Sequence, residues 1–259
     1  MKVVVPVKQV AVVDEDFELA DDGTAVDPDF LEWSLNEWDE FSVEAALQLA
    51  GDDGEVVVVT VGDDEATEGL LTCLAKGAGR GIRVWEQSLT SADALAVARV
   101  LAAVVERESP DLVLCGVQSS DAVNSATGIG LAGFLDLPHV AVARAISGGE
   151  GALTVERELE GGLVEVVRIG LPALLTVQTG INEPRYANLR AIKQAREKPL
   201  EVLDLAGLGL SGDDVAGASG GRLRKLAVPE AGEGAEMLTG SAAEVATRIR
   251  EIVQDRLSA

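Results

Sequence analysis

Three stretches of this chain are apolar at nearly every position and have the length of a single β-strand. They are VVVPV at residues 3 to 7, EVVVVTVG at 55 to 62 and DLVLCG at 111 to 116. A strand with one wet face alternates apolar and polar residues. A strand apolar on both faces must be covered on both, as in a parallel sheet flanked by helices. Helical patterns fill the intervals. FSVEAALQLA (41 to 50) places Val43, Ala46, Leu47 and Leu49 largely on one side. EATEGLLTCLAK (65 to 76) runs into Gly77 and Gly79, a helix stop. Residues 91 to 107 form a third helical pattern, with Ser91 as its expected N-cap and Ser109-Pro110 beyond its end. Strand and helix in alternation predict right-handed crossovers and a doubly wound, mainly parallel α/β sheet of Rossmann-like type.

After Pro138 the rhythm changes. HVAVARAISG, ALTVERELEGG and LVEVVRIGLPALLTVQ read as successive strands, with Gly161-Gly162 at a hairpin turn. Beyond Asn182 the core-forming pattern stops. Residues 200 to 235 are rich in Gly, Ala, Asp and Ser, and GSAAEVATRIREIVQDRL then reads as an amphipathic helix capped by Ser241. Its apolar face, Val245, Ile249 and Val253, suits an extended C-terminal arm laid on a partner. The expected division is therefore an α/β core at 1–181, a short cationic segment at 182–199 and the arm at 200–259.

Charge narrows the function classes. The chain carries 44 Asp and Glu against 21 Lys and Arg, a net −23, with lysine much scarcer than arginine. The acidity is spread along the chain, which argues against general nucleic-acid binding and fits adaptation to high intracellular salt. Cys73 and Cys115 are the only cysteines and His139 the only histidine. A disulfide framework is absent, and multi-Cys/His metal sites are nearly excluded. Cys73, Cys115 and His139 read as structural. No apolar run has membrane-spanning length and no cleavable leader is evident, so the expected location is cytoplasmic.

Ligands of open parallel sheets collect at the carboxyl ends of the strands. Here these ends are Val7-Lys8-Gln9, Val61-Gly62-Asp63 and CGVQSSDAVNSATG, residues 115 to 128. In the last segment Gly116 allows close backbone approach. Gln118, Ser119, Ser120, Asp121, Asn124, Ser125 and Thr127 supply donors and acceptors. A helix from about Asn124 would aim its free N–H groups at the same crevice and suit a phosphate; an ordinary polar loop capping a helix would look the same. NEWDE (36 to 40) leads another helix and combines Asn36, Trp38 and Asp39. The GxGxxG spacing occurs at GIGLAG (128 to 133) and GLGLSG (207 to 212), but neither directly follows an apolar strand run, and a Walker motif is missing, so neither a dinucleotide dehydrogenase nor an ordinary NTPase is supported.

Together these pieces resemble the beta subunit of electron transfer flavoproteins. The resemblance runs over most of the chain: VPVKQV, NEWDEFSVEAALQL, KGAGRGIRV, the diagnostic VERELEGGLVEVVRIGLPALLTV at 155 to 177, and NEPRYANL after it. It implies a heterodimer with an alpha subunit that holds most of an FAD, while this subunit buries an AMP and completes one side of the flavin site. It implies electron transfer from acyl-CoA-type dehydrogenases towards a membrane quinone reductase, with no bond-making catalytic residue in this chain. By position the AMP site falls on Pro6, Val7, Asn36, Trp38, Asp39, Val61, Gly116, Gln118, Asp121, Asn124, Ser125 and Thr127, and Val13 and Trp38 lie towards the flavin. The family's DGDTGQ-like stretch is replaced here by DAVNSATG, which leaves open the relatives that bind a second FAD in place of AMP.

In residues 182 to 199, NEPRYANLRAIKQAREKP, the run from Arg185 to Lys198 carries five basic residues and only one acid, Glu197. The resemblance implies that this is a docking loop for dehydrogenases: Leu189 enters a partner pocket, with Tyr186, Arg190, Lys193 and Arg196 around it. Two other classes compete. A nucleotide-dependent ligase or hydrolase would need a phosphate loop and a catalytic Lys or His, and Lys8 is the lone basic candidate at the first strand end. A free-standing nucleotide-binding module would leave 182–259 unexplained.

Overall fold

The computed structural model describes residues 1–259 except 15, 150, 222, 230–233, 236 and 259. The strands of its main sheet are β1 (Lys2–Pro6), β4 (Glu55–Val61), β5 (Arg80–Val84), β6 (Leu112–Gly116), β7 (His139–Gly149), β8 (Ala152–Glu158), β9 (Val164–Gly170), β10 (Ala173–Val177) and β11 (Leu200–Leu203). Their order is β11-β5-β4-β1-β6-β10-β7-β8-β9. Every neighbouring pair from β11 to β7 is parallel, and β7-β8-β9 finish the sheet as an antiparallel meander. The β8–β9 hairpin turns at Gly161 and Gly162, both at positive φ (74° and 76°), as the Gly-Gly pair predicts.

The continuous apolar runs have a direct cause. Val3 and Val5 of β1 point into one core, with Val56 and Val58 of β4. Val4, Val57 and Val59 point into a second core on the opposite face. Helices α1 (Glu37–Ala50) and α2 (Thr67–Lys76) cover the first face; α3 (Ala94–Glu108) and α4 (Thr127–Leu135) cover the second. Each fully buried Val contributes about 1.5–3 kcal/mol relative to exposure, so both faces resist substitution.

Four features differ from the sequence expectations. Strand β5 was hidden by Arg80 and Arg83. The α3 N-cap is Asp93, whose carboxylate accepts from the N–H groups of Leu95 and Ala96 at 3.1 and 2.9 Å, and not Ser91. A separate antiparallel pair, β2 (Gln9–Val13) with β3 (Leu31–Leu35), follows β1; the stretch between its strands obscures their pairing in sequence. Finally, β11 adds an edge strand beside β5, and Leu205, Leu210 and Val215 are buried in the second core. The structure divides into compact units at Met1–Arg224 and Lys225–Ala259, so residues 200–224 lie with the core and not in an arm. Helices α5 (Leu189–Ala195) and α6 (Gly212–Ala218) complete the first unit.

In the second unit α7 spans Ala242–Ser258. The Ser241 N–H and hydroxyl donate to the Glu244 carboxylate at 2.8 and 2.7 Å, and the Glu244 N–H donates back to Ser241 Oγ at 3.4 Å, a reciprocal start signal. Ile249 and Val253 on this helix are half exposed. Among the described residues no helix is long and apolar enough to cross a membrane.

Candidate functional site

Strand β1 sits between β4 and β6, where the winding of the sheet reverses. The carboxyl ends of these strands therefore flare apart and leave a crevice. Asn36 starts α1 beneath it, 1% exposed. Its backbone N–H donates to Lys8 O at 2.9 Å. Its side-chain amide donates to Gln118 O at 2.9 Å and its Oδ1 accepts from Ser120 N at 3.3 Å. One buried asparagine thus joins the end of β1 to the loop after β6.

Asp39, one turn along α1, is 5% exposed. Its Oδ2 accepts from the Lys8 N–H at 2.7 Å. Burial pushes its carboxyl up to about 7, against the opposing pull of the Lys8, Asn36 and Gly116 donors. Gly116 is obligatory beside it. A Cβ there would stand 2.5 Å from Asp39 Oδ1 and 2.7 Å from Trp38 Cβ.

The loop from Val117 to Ala126 is held by its own polar groups. Ser125 Oγ donates to Gln118 Oε1 at 3.1 Å, and Val123 N donates to Ser119 O at 2.9 Å. Val123 and Ser125 both lie at positive φ, 51° and 50°. For a β-branched residue that conformation is strained, and such strain persists where the surroundings over-determine it. Lys8 Nζ reaches across to Asp121 Oδ1 at 2.7 Å. Helix α4 then begins at Thr127 after Ala126, which has no side chain able to cap it. Gly128 brings that first turn onto the strands: a Cβ there would lie 2.8 Å from Thr176 Cγ2 and 3.3 Å from Cys115 Cβ.

These elements enclose a cavity of about 360 Å³. Pro6, Val7, Asn36, Asp39, Val61, Gly116, Gln118, Asn124, Ser125 and Thr127 line it. One half is polar backbone and amide; the other is an apolar wall of Trp85, Leu89, Val97 and Leu101.

Comparison with known proteins identifies the family. The family model described as the electron transfer flavoprotein domain matches residues 26–208. An electron transfer flavoprotein subunit beta from Methylophilus methylotrophus is 47% identical over 261 residues, covering 98% of each chain. The chain belongs to the electron transfer flavoprotein beta subunit family. Its human relative of the same name is 40% identical over 215 residues, with 81% of this chain and 84% of the relative covered. A Bradyrhizobium diazoefficiens relative is 38% identical over 212 residues, with the same coverage.

Within this family member, three expected site residues stand off the cavity. Asp121 is turned to Lys8. Trp38 is outside the lining, its indole N–H donating to Gln178 Oε1 at 3.1 Å. Val13 is on β2 and 41% exposed. Sequence reasoning missed the apolar wall: Trp85 and Leu89 follow β5 and Val97 and Leu101 sit on α3, where each looks like ordinary core. In the cationic segment Tyr186 is 98% and Leu189 80% exposed. Helix α5 starts at Leu189, capped by Asn188, whose Oδ1 accepts from Ala191 N at 2.9 Å. Arg190 and Lys193 lie on the same short helix.

Proposed function

We propose that this chain is the beta subunit of a heterodimeric electron transfer flavoprotein, an electron carrier with no bond-making catalysis of its own. It binds AMP in the cavity and, with an alpha subunit, completes the site of an FAD. Electrons come from flavin dehydrogenases of the acyl-CoA type and leave to a membrane quinone reductase, as in cytoplasmic fatty acid oxidation. Residues 182–199 dock the dehydrogenase, and the C-terminal arm packs on the alpha subunit.

The observation that carries this reading is the cavity itself. Its volume of about 360 Å³ lies near the lower end of ligand pockets, roughly 300–1,000 Å³, which suits a mononucleotide better than a dinucleotide. The uncapped start of α4 matches a phosphate. The wall of Trp85, Leu89 and Val97 matches a purine, and the Asn36-held loop offers it backbone donors and acceptors. Family kinship supplies the flavin. When bound, it accepts and donates electrons reversibly, and the protein tunes that exchange. Trp38, oriented by Gln178, and half-exposed Val13 are the residues of this chain suited to exclude water on the flavin side.

Co-expression with the alpha subunit of the same organism tests the proposal. A yellow heterodimer that accepts electrons from a reduced acyl-CoA dehydrogenase supports it. A stable colourless monomer with ATPase activity overturns it.

A further inference from the structure

The five cations of the docking segment fall into two groups. Arg185 forms a fork on Glu44 of α1: Nε to Oε2 at 2.7 Å and Nη2 to Oε1 at 3.0 Å. The Arg185 backbone N–H adds a contact to Oε2 at 3.3 Å. Glu44 is 5% exposed, and Gln48 Nε2 holds its Oε1 at 2.9 Å. The Arg185 guanidinium keeps the Glu44 carboxyl below the usual carboxylate range. Nearby, Asn182 Nδ2 donates to Phe41 O at 3.0 Å. At the far end Lys198 Nζ donates to two carbonyls at the end of α2, Leu74 O at 2.8 Å and Ala78 O at 2.7 Å. Between these two anchors Tyr186 and Leu189 stand in solvent. Arg196 reaches the exposed Glu68 at 3.9 Å, and Ala195 is the buried footing of α5.

We propose that Arg185 with Glu44, and Lys198 with the end of α2, form a two-point clamp that presents Leu189, Arg190 and Lys193 in a fixed position. Arg185, Glu44 and Lys198 are positioning residues and do not themselves touch the partner. This rests on the docking reading above. The physical gain is pre-organisation, because a loop already ordered loses less freedom on binding. The clamp also suits a salty cell. Salt screens exposed cations within about 3 Å at 1 M, but the fork is seated on a buried carboxylate with good hydrogen-bond geometry. The Arg185 side chain is itself half exposed and partly screened, so what holds the position in salt is the two-nitrogen hydrogen-bond geometry on a buried carboxylate, and not charge alone.

The test uses the assembled heterodimer carrying Arg185→Ala together with Glu44→Gln, so that no unpaired charge is left buried. Hydrogen exchange of residues 186–195 and the kinetics with a purified acyl-CoA dehydrogenase of the source organism are measured together. Exchange in that segment and the KM for the dehydrogenase each rise about tenfold, the rate at saturation stays within about twofold, and AMP and FAD contents hold. Unchanged exchange, or faster exchange with an unchanged KM, overturns the clamp. Leu189→Ala with the clamp intact separates the two ideas. A raised KM there with no effect of the clamp variant sinks the clamp alone; an unchanged KM sinks the docking reading and the clamp with it. Should the double variant fail to assemble, Arg185→Lys keeps the charge without the two-nitrogen fork, and unchanged exchange and KM in it overturn the inference.

Discussion

Asp39 makes the folded state pH-dependent in a window where few groups titrate. Burial lifts its carboxyl from the ordinary 3.8 to about 7. The folded protein therefore holds this proton more tightly than the unfolded chain. Below the unfolded value both states are protonated and nothing is lost. As pH rises through the window, unfolding releases a proton and stability falls; above the folded value the loss is complete. At about 1.4 kcal/mol per tenfold change in proton affinity, the total is about 4 kcal/mol. Between pH 5 and pH 8 it is about 2–3 kcal/mol. Glu44 and Glu108 act in the opposite sense. Arg185 holds the first low, and Arg80 with Lys2 holds the second at about 2. What they contribute is present above the ordinary carboxylate range and is lost only in acid.

The perturbation is Asp39→Asn, which keeps the size and one acceptor for the Lys8 N–H. Urea unfolding of the chain without nucleotide, at pH 5 and pH 8 and one fixed KCl concentration, gives the free energies. The wild type is the less stable at pH 8 by about 2–3 kcal/mol relative to its own value at pH 5, and the variant loses that component. The slope is the readout, since the substitution also forfeits an acceptor and shifts the absolute value by about 1–3 kcal/mol. Identical pH dependence in the two proteins refutes the reasoning.

Two glycines give a matched pair. Gly116→Ala drives a methyl into Asp39 and Trp38, so it destabilises by about 1–3 kcal/mol and abolishes AMP retention in nucleotide extracted from the heterodimer. Gly133→Ala on α4 meets nothing within 4 Å and raises stability by about 0.5–1 kcal/mol, measured by the same urea titration, with AMP retained. We also propose that the net −23 reflects adaptation to salt. Thermal melts should then fall by at least about 5 °C from molar to millimolar KCl as screening is withdrawn, and an unchanged Tm removes that idea.

Residues that must be covered on both sides were easiest to recognise. The runs in β1, β4 and β6 announce a parallel sheet because each valine has a core to enter. Strand β5 was silent for an equally physical reason. Arg80 pairs with Glu55 at 2.8 Å and also with Glu108. Arg83, 7% exposed, turns to Asp64 at 2.5 Å and Gly62 O at 3.3 Å. Two paired arginines interrupt an apolar pattern without interrupting a strand. The polar half of the cavity could be read from strand-end chemistry, since Asn36, Gly116 and Gln118 are residue types that a strand terminus does not otherwise need. The apolar half could not, because Leu89 and Val97 resemble any core residue. Asp93 shows the limit of local signals. Ser91 is an equally good cap by type, but Asp93 also accepts the Gly220 and Gly221 N–H groups at 2.6 and 2.7 Å, a contact set by distant chain.

The clamp residues show a related limit. In sequence all five cations of 185–198 look alike. Only the buried partner Glu44 and the carbonyls closing α2 separate the anchors from the solvent-facing charges.

Nucleotide content of the purified heterodimer tests the central claim most directly. Acid extraction and separation of the bound nucleotides, referred to protein concentration, should yield one AMP and one FAD per heterodimer. Two FAD with no AMP, or no adenine nucleotide beyond a single FAD, contradicts it.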